Sequence, residues 1–273
     1  MPRQASDPNA EPPAARDKGD ALGLATLYHA RQRSLQRLIL SLPTLAAIPL
    51  IAAAFNAAEW MLRTQLSAAW AAVLAFWIDK LGLDGTVVER AVPLGWLNLP
   101  LPYTNVSAAA PDAPTWWLTL LGTLAAALLA LRLRDHYLPL RYFVLFAVFV
   151  QSTALLFFAV APDSFPYSAS GYLDNGFKTS CYLLWLLPWA HALTYYIFGF
   201  AWWQKVSVTL LTLAFVVVAV PLQLALHLYL LSCGSLLIMP LLSFVLGPTL
   251  MVSGCIALYG WAMSWSRAGE HKP

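Results

Sequence analysis

Residues 206–266 contain not one Asp, Glu, Lys or Arg, and the same holds for residues 142–162 and 179–204. A helix needs ~20 apolar residues to cross a ~30 Å hydrocarbon core, and these runs are long enough to do so. Composition agrees: 60% of the chain is hydrophobic and 11% is charged, where a soluble domain carries roughly 25% charged residues. Too few charges are present to cover a water-facing surface. The expected fold class is therefore all-α: a polytopic transmembrane helix bundle of about six spans. With a net charge of +3 and no basic, aromatic-interleaved patch, the chain is not expected to bind nucleic acid.

Residues 1–20 are rich in Pro, Ala and charge, and predict a disordered cytoplasmic tail. From Ala21 to Arg37 a helical pattern carries Arg31, Arg33 and Arg37 toward the membrane, as a juxtamembrane anchor does. The first apolar run begins near Leu38, too late for an ordinary signal peptide, and reads as a retained span over residues 38–55, bent by Pro43 and Pro49. Residues 57–80 look helical, but Glu59, Arg63 and Asp79 leave a short uncharged core. They are expected to lie along the outer interface, with Trp60, Trp70 and Trp77 at headgroup level, followed by a Pro-rich outer loop to residue 113. Further spans are placed at 115–132, 141–161, 179–203, 206–231 and 236–264, the last interrupted by Pro240 and Pro248. A cytoplasmic tail, 265–273, ends the chain.

This arrangement puts both termini inside. Twelve Lys and Arg residues then fall on the cytoplasmic side, and only Arg63, Lys80, Arg90 and Lys178 fall outside, as the positive-inside rule requires. A crossing by residues 57–80 would reverse everything after it and place Arg132, Arg134 and Arg141 outside. Arginine outnumbers lysine and alanine is abundant, so the expected location is a bacterial inner membrane.

Neutral polar groups are the candidate ligand residues. Gln151 sits near the middle of the third span, His191 and Tyr195 in the fourth, and Gln223 and His227 in the outer half of the fifth. His191 and Tyr195 are four apart, as are Gln223 and His227, so each pair shares a helix face. If the three faces converge, they line a polar pocket. The plainer reading is interhelical hydrogen bonding, contributing about 0.6 kcal/mol per bond. Bis-histidine haem ligation needs two imidazoles at one depth, whereas His191 is central and His227 nearer the outside, so no cofactor is expected. No metal-type spacing of Cys and His occurs.

Cys181 and Cys233 both map to the outer side, where an oxidising compartment permits a disulfide between them; two unrelated thiols are the alternative. Neither has an evident base or cation to activate it, and Cys255 reads as packing. Arg132, Arg134 and Arg141 form a cytoplasmic cluster able to meet a lipid headgroup, although a topogenic loop looks the same. Gly122, Ala126 and Ala130, and separately Ser243, Gly247 and Gly254, form small-residue faces that allow close helix approach.

Three functions fit: a non-enzymatic subunit or assembly factor of a membrane complex, a permease for a neutral or lipidic substrate, or a membrane enzyme acting on a lipid-linked substrate. The first leads, because catalytic groups are scarce and the outer segment 57–113 is large and aromatic. The expected partners are the lipid bilayer and other membrane subunits. Reporter fusions test the topology: positions 85 and 170 should report outside and positions 136, 205 and 270 inside. An inside signal at 85 overturns the arrangement.

Overall fold

In the computed structural model, the described residues are 42–94, 97–197 and 202–265. The expected amino-terminal tail, the juxtamembrane helix, the first residues of the first span and the carboxy-terminal tail from residue 266 lie outside them. Six long helices and one β-hairpin make up the fold: α1 (Leu42–Lys80), β1 (Val87–Leu94), β2 (Leu97–Thr104), α2 (Ala113–Arg132), α3 (Leu138–Val160), α4 (Ala169–Ile197), α5 (Trp202–Gly234) and α6 (Gly247–Trp265). Five segments are long and apolar enough to cross a membrane: Pro49–Lys80, Ala113–Arg132, Asp135–Val160, Trp202–Gly234 and Leu236–Ser264. The chain is a multi-pass integral membrane protein built as a helix bundle. The helix outside this set, α4, opens with Asp174 and Lys178, which pair at 2.7 Å across one turn.

Two expectations are revised. The sequence suggested a break near residue 56, yet Leu42–Lys80 is a single helix of 39 residues, about 58 Å long at ~1.5 Å per residue. Pro49 lies inside it without ending it. The expected loop after residue 80 contains an antiparallel hairpin pairing Val87 with Thr104 through Leu94 with Leu97. Its three prolines stand in alternate pairs, Glu89↔Pro102, Ala91↔Pro100 and Pro93↔Asn98. The bond from Asn105 N–H to the Thr86 carbonyl, 3.2 Å, belongs to the intervening set. All three prolines therefore occupy positions whose nitrogen points away from the partner strand, so none costs a ladder bond.

The largest core joins the second half of α1 to the hairpin, α4 and α5. Trp70, Leu74, Ile78, Val92, Leu99, Leu101, Phe177, Val216 and Leu228 are buried there. Pro221 fixes the key contact. It has no N–H, so the Val217 carbonyl one turn earlier in α5 loses its helical partner. The Trp70 indole Nε1–H donates to that carbonyl at 2.8 Å, while its ring lies 5.4 Å from Phe177.

The α2/α3 pair is joined to the rest mainly through residues 236–246. There the chain takes successive single turns: a 3₁₀ turn at Leu236–Ile238, an α turn at Met239–Leu241 and a π turn at Leu242–Leu246. Ser235 enters this segment at φ +65°, a left-handed backbone that favours glycine. The π turn closes with the Gly247 N–H on the Leu242 carbonyl, directly before Pro248, whose missing donor rules out an ordinary α-helical bond there. At the other end of α2, Asp112 accepts the Thr115 N–H at 3.1 Å as an N-cap, and hydrogen bonds from the Thr115 hydroxyl and then its amide hold its carboxyl below the usual carboxylate range. Of α2 itself only Thr123 and Ala130 are buried; Leu120 packs against Leu155 and Phe158 of α3, and the other leucines are exposed to the lipid.

The Trp70 bond predicts a specific coupling. Trp70→Phe removes the indole donor from a carbonyl with no helical partner and should cost about 1–3 kcal/mol in chemical unfolding. In a Pro221→Ala background, which restores the missing amide, the same substitution should cost clearly less. Equal costs in the two backgrounds would show that the indole does not serve that carbonyl.

Candidate functional site

Tyr172 faces His227, the Cα of Gly176 lies against Leu224, and His191 meets Thr209, so α4 and α5 run antiparallel along their length. Near the hairpin end of this pair, α6 leaves a cavity of about 280 Å³ lined by Tyr172, Asn175, Thr179, Gln223, His227 and Ser243, with Gly176 and Gly247 at its walls. At both glycines an added Cβ would crowd a neighbour. A Cβ at Gly176 would lie 2.7 Å from Leu224 Cδ2; one at Gly247 would lie 3.0 Å from the Leu242 carbonyl oxygen and 3.2 Å from Gln223 Nε2.

Within the cavity the Tyr172 hydroxyl lies 2.7 Å from His227 Nδ1. With the phenol donating, the imidazole carries its proton on Nε2. Gln223, one turn before His227, keeps a buried carbonyl oxygen with no hydrogen-bond partner. Such a group costs free energy until a donor meets it. The wall therefore offers an unmet acceptor beside a fixed tyrosine–histidine pair, in a space with room for a ligand.

The five candidate ligand residues fall in three places. Gln223 and His227 share the cavity just described. His191 and Tyr195 form a network toward the other end of α4: Tyr195 OH lies 3.0 Å from Thr209 Oγ1, and His191 Nδ1 lies 3.4 Å from both that oxygen and the tyrosine hydroxyl. The Tyr259 ring stands 6.0 Å from the His191 ring. Gln151 donates from Nε2 to the Leu237 carbonyl at 3.1 Å and tethers α3 to the turns before α6, while its own carbonyl oxygen is buried and unpartnered. It lines a separate cavity of about 280 Å³ with Gly122, Thr123, Ala126 and Ile238.

Cys181 and Cys233 are both free thiols. Cys181 is half-buried on α4, past Gly176 in the direction of His191, whereas Cys233 is exposed near the end of α5. Leu224 marks the Gly176 level, and nine further residues of helix place Cys233 about 14 Å beyond it. A disulfide needs Cα atoms within about 7 Å, so the expected bridge does not form in this arrangement. Arg132 and Arg134 are exposed at the end of α2 and the turn that follows; Arg141 is half-buried in the first turn of α3. Among the described residues no three His, Cys, Asp or Glu side chains gather as metal ligands would.

Sequence reading missed Tyr172 and Glu59. Tyr172 lies within α4, which begins at Ala169, ten residues before the expected start. Two signals pointed that way: Ser168, whose Oγ accepts the Gly171 N–H at 3.1 Å, and the Asp174/Lys178 spacing of four. Glu59 has both carboxylate oxygens buried without partners, on the stretch of α1 beside the hairpin.

The class these features define is an integral multi-pass membrane protein whose helices enclose mainly apolar cavities with a few polar groups in their walls. No protein-family model, no curated protein and no solved structure matches the chain.

The thiols give a direct check. On a non-reducing gel the protein should run as it does when reduced, and a membrane-impermeant maleimide should modify Cys233 faster than Cys181. A mobility shift abolished by Cys181→Ser would contradict this placement.

Proposed function

We propose that the protein sits in a bacterial inner membrane with both termini in the cytoplasm and the hairpin outside, and that it binds a neutral, hydrogen-bonding or lipidic ligand between α4, α5 and α6. Among the expected functions this is the permease-type reading. The observation that carries it is the buried, unpartnered Gln223 oxygen at the wall of a 280 Å³ cavity that also holds the Tyr172–His227 pair. A ligand O–H or N–H meets Gln223, while His227 Nε2–H donates to a ligand oxygen. The remaining wall, with Leu183, Leu224 and Met251, suits an apolar body.

The topology rests on the charge count and on the hairpin. A two-stranded hairpin leaves both outer edges unpaired, and such edges need water or protein, so the hairpin belongs outside the hydrocarbon. The part of α1 it covers then stands at the outer boundary, and the extra length of that helix accommodates this.

The reading as a subunit or assembly factor has its own support. Pro100 and Pro102 remove two outward-facing donors from the β2 edge, while β1 retains its outward amides at Val87, Glu89 and Ala91. A partner's extended strand can pair with β1 but not with β2. Arg132, Arg134 and Arg141, on the cytoplasmic side, suit anionic headgroups.

Native mass spectrometry of the detergent-purified protein tests the ligand reading. The wild type should carry a neutral lipid or lipid-like adduct, and Gln223→Leu should lower its occupancy about tenfold, the value of one lost hydrogen bond of roughly 1.4 kcal/mol. His227→Ala should do the same. A protein free of adducts, or occupancy unchanged in both variants, would overturn the proposal; stable copurifying subunits would then favour the alternative.

A further inference from the structure

A second cavity lies between the middle of α1, the hairpin and α4, and shares no residue with the Tyr172–His227 cavity. It is a half-open cleft whose enclosed part, about 40 Å³, holds a few water-sized polar groups, so a larger molecule enters it by its polar end and extends out through the mouth; Trp60, Trp70 and Trp185 contribute to its wall. Along α1 it presents Glu59, Arg63 and Ser67, each four residues from the next. The three side chains therefore form one stripe, with successive positions about 6 Å apart along the axis.

Glu59 and Arg63 have the spacing and order that favour an i,i+4 ion pair. No such pair forms. The Arg63 guanidinium instead donates from Nη1 to the Trp60 carbonyl at 2.7 Å and lies over the Trp60 ring, 4.2 Å from its centroid. Both Glu59 carboxylate oxygens are left buried with no hydrogen-bond partner. Ser67, 1% exposed, has its Oγ in the same condition. The wall thus offers a carboxyl with two unmet oxygens, then a cation with five N–H donors in a fork, then a hydroxyl, in that order along one helix.

We infer that this cavity takes a zwitterionic headgroup in which a primary ammonium is joined to a phosphodiester, the chemistry of an ethanolamine phospholipid. The ammonium N–H groups meet the two Glu59 oxygens, and the tryptophan rings favour its charge. The phosphodiester meets the Arg63 fork, which matches planar anion recognition, and the Ser67 hydroxyl donates to it. A carboxyl and a guanidinium that lie one turn apart yet do not bond each other are what such a ligand bridges, its ammonium drawing the Glu59 carboxyl into its charged form. A methylated quaternary ammonium has no N–H for Glu59, and an uncharged glycerol head has no cation for it, so the site discriminates among headgroups. The cavity also borders the hairpin, at the level where headgroups lie under the topology proposed above.

The test uses the full-length protein in mild detergent, titrated with phospholipids of identical acyl chains and read by native mass spectrometry. Phosphatidylethanolamine should bind at least tenfold more tightly than phosphatidylglycerol or phosphatidylcholine. Glu59→Gln and Arg63→Gln should each reduce that preference at least fivefold, and Ser67→Ala should weaken binding two- to threefold. Competition by soluble O-phosphoethanolamine without lipid selectivity would identify a free zwitterion as the ligand of the same site. Equal binding of the three lipids with no competition, or a preference unchanged by both Glu59→Gln and Arg63→Gln, would overturn the inference. Should Glu59→Gln lower the unfolding temperature sharply, Arg63→Gln and Ser67→Ala decide the matter. Gln223→Leu should leave this preference intact, which separates this result from the other cavity.

Discussion

The carbonyl of Val217 is released by Pro221 and taken up by the indole of Trp70, and the arrangement of α1, α4 and α5 depends on that exchange. In an apolar interior a backbone acceptor without a donor is costly, so a proline in mid-helix is tolerated where a neighbour supplies one. Here the neighbour is a buried tryptophan 147 residues earlier in the chain, itself packed on Phe177 of α4. One polar contact thereby fixes the rotation of α1 against α5. It also sets the height at which the hairpin, carried by the end of α1, settles onto the core through Val92, Leu99 and Leu101.

The same accounting recurs wherever the fold departs from a regular helix. Pro248 cannot donate, and the π turn immediately before it relocates the bonding so that Gly247 reaches the Leu242 carbonyl. The Leu237 carbonyl, in the run of short turns, is met by Gln151 from α3. Most buried polar groups in this bundle have such a partner. Gln223, the carbonyl oxygen of Gln151 and the Glu59 and Ser67 oxygens are among those that have none.

Much of this was legible in the sequence, because a hydrocarbon core imposes length and polarity on each crossing segment. The uncharged runs marked α2, α3, α5 and α6, and the Pro-rich segment falls between α1 and α2. What the sequence obscured has local causes. Glu59 and Arg63 made residues 57–80 look separate from the first span, but a helix does not break at a charge that finds protein cover, and the hairpin supplies that cover. The hairpin itself was hidden by its prolines, which ordinarily argue against a strand; only the register reveals that all three sit at outward-facing positions. The start of α4 was masked because the uncharged run begins only at residue 179, after Asp174 and Lys178. The polar residues stood out against the apolar runs, yet periodicity along single helices cannot say which helices adjoin. His191, Gln151 and Gln223 consequently proved to belong to three different neighbourhoods.

That separation bears on what the molecule can do. The His191–Tyr195–Thr209 network binds its polar atoms to one another, and the Gln151 amide is committed to a backbone carbonyl, so both act first as fasteners between helices. Around Gln223 the balance differs: Tyr172 and His227 satisfy each other, and the glycines at 176 and 247 hold the helices close enough to shape a cavity while adding no side chain to fill it. Either glycine could carry a larger residue only by displacing a neighbour, so the empty volume comes from tight backbone packing around it and not from loose helices. A cavity of that origin is preorganised. It keeps its unmet acceptor in place without a ligand, and under the ligand-binding role proposed above this lowers the ordering cost of binding and makes recognition depend on whether the incoming molecule carries the missing donor.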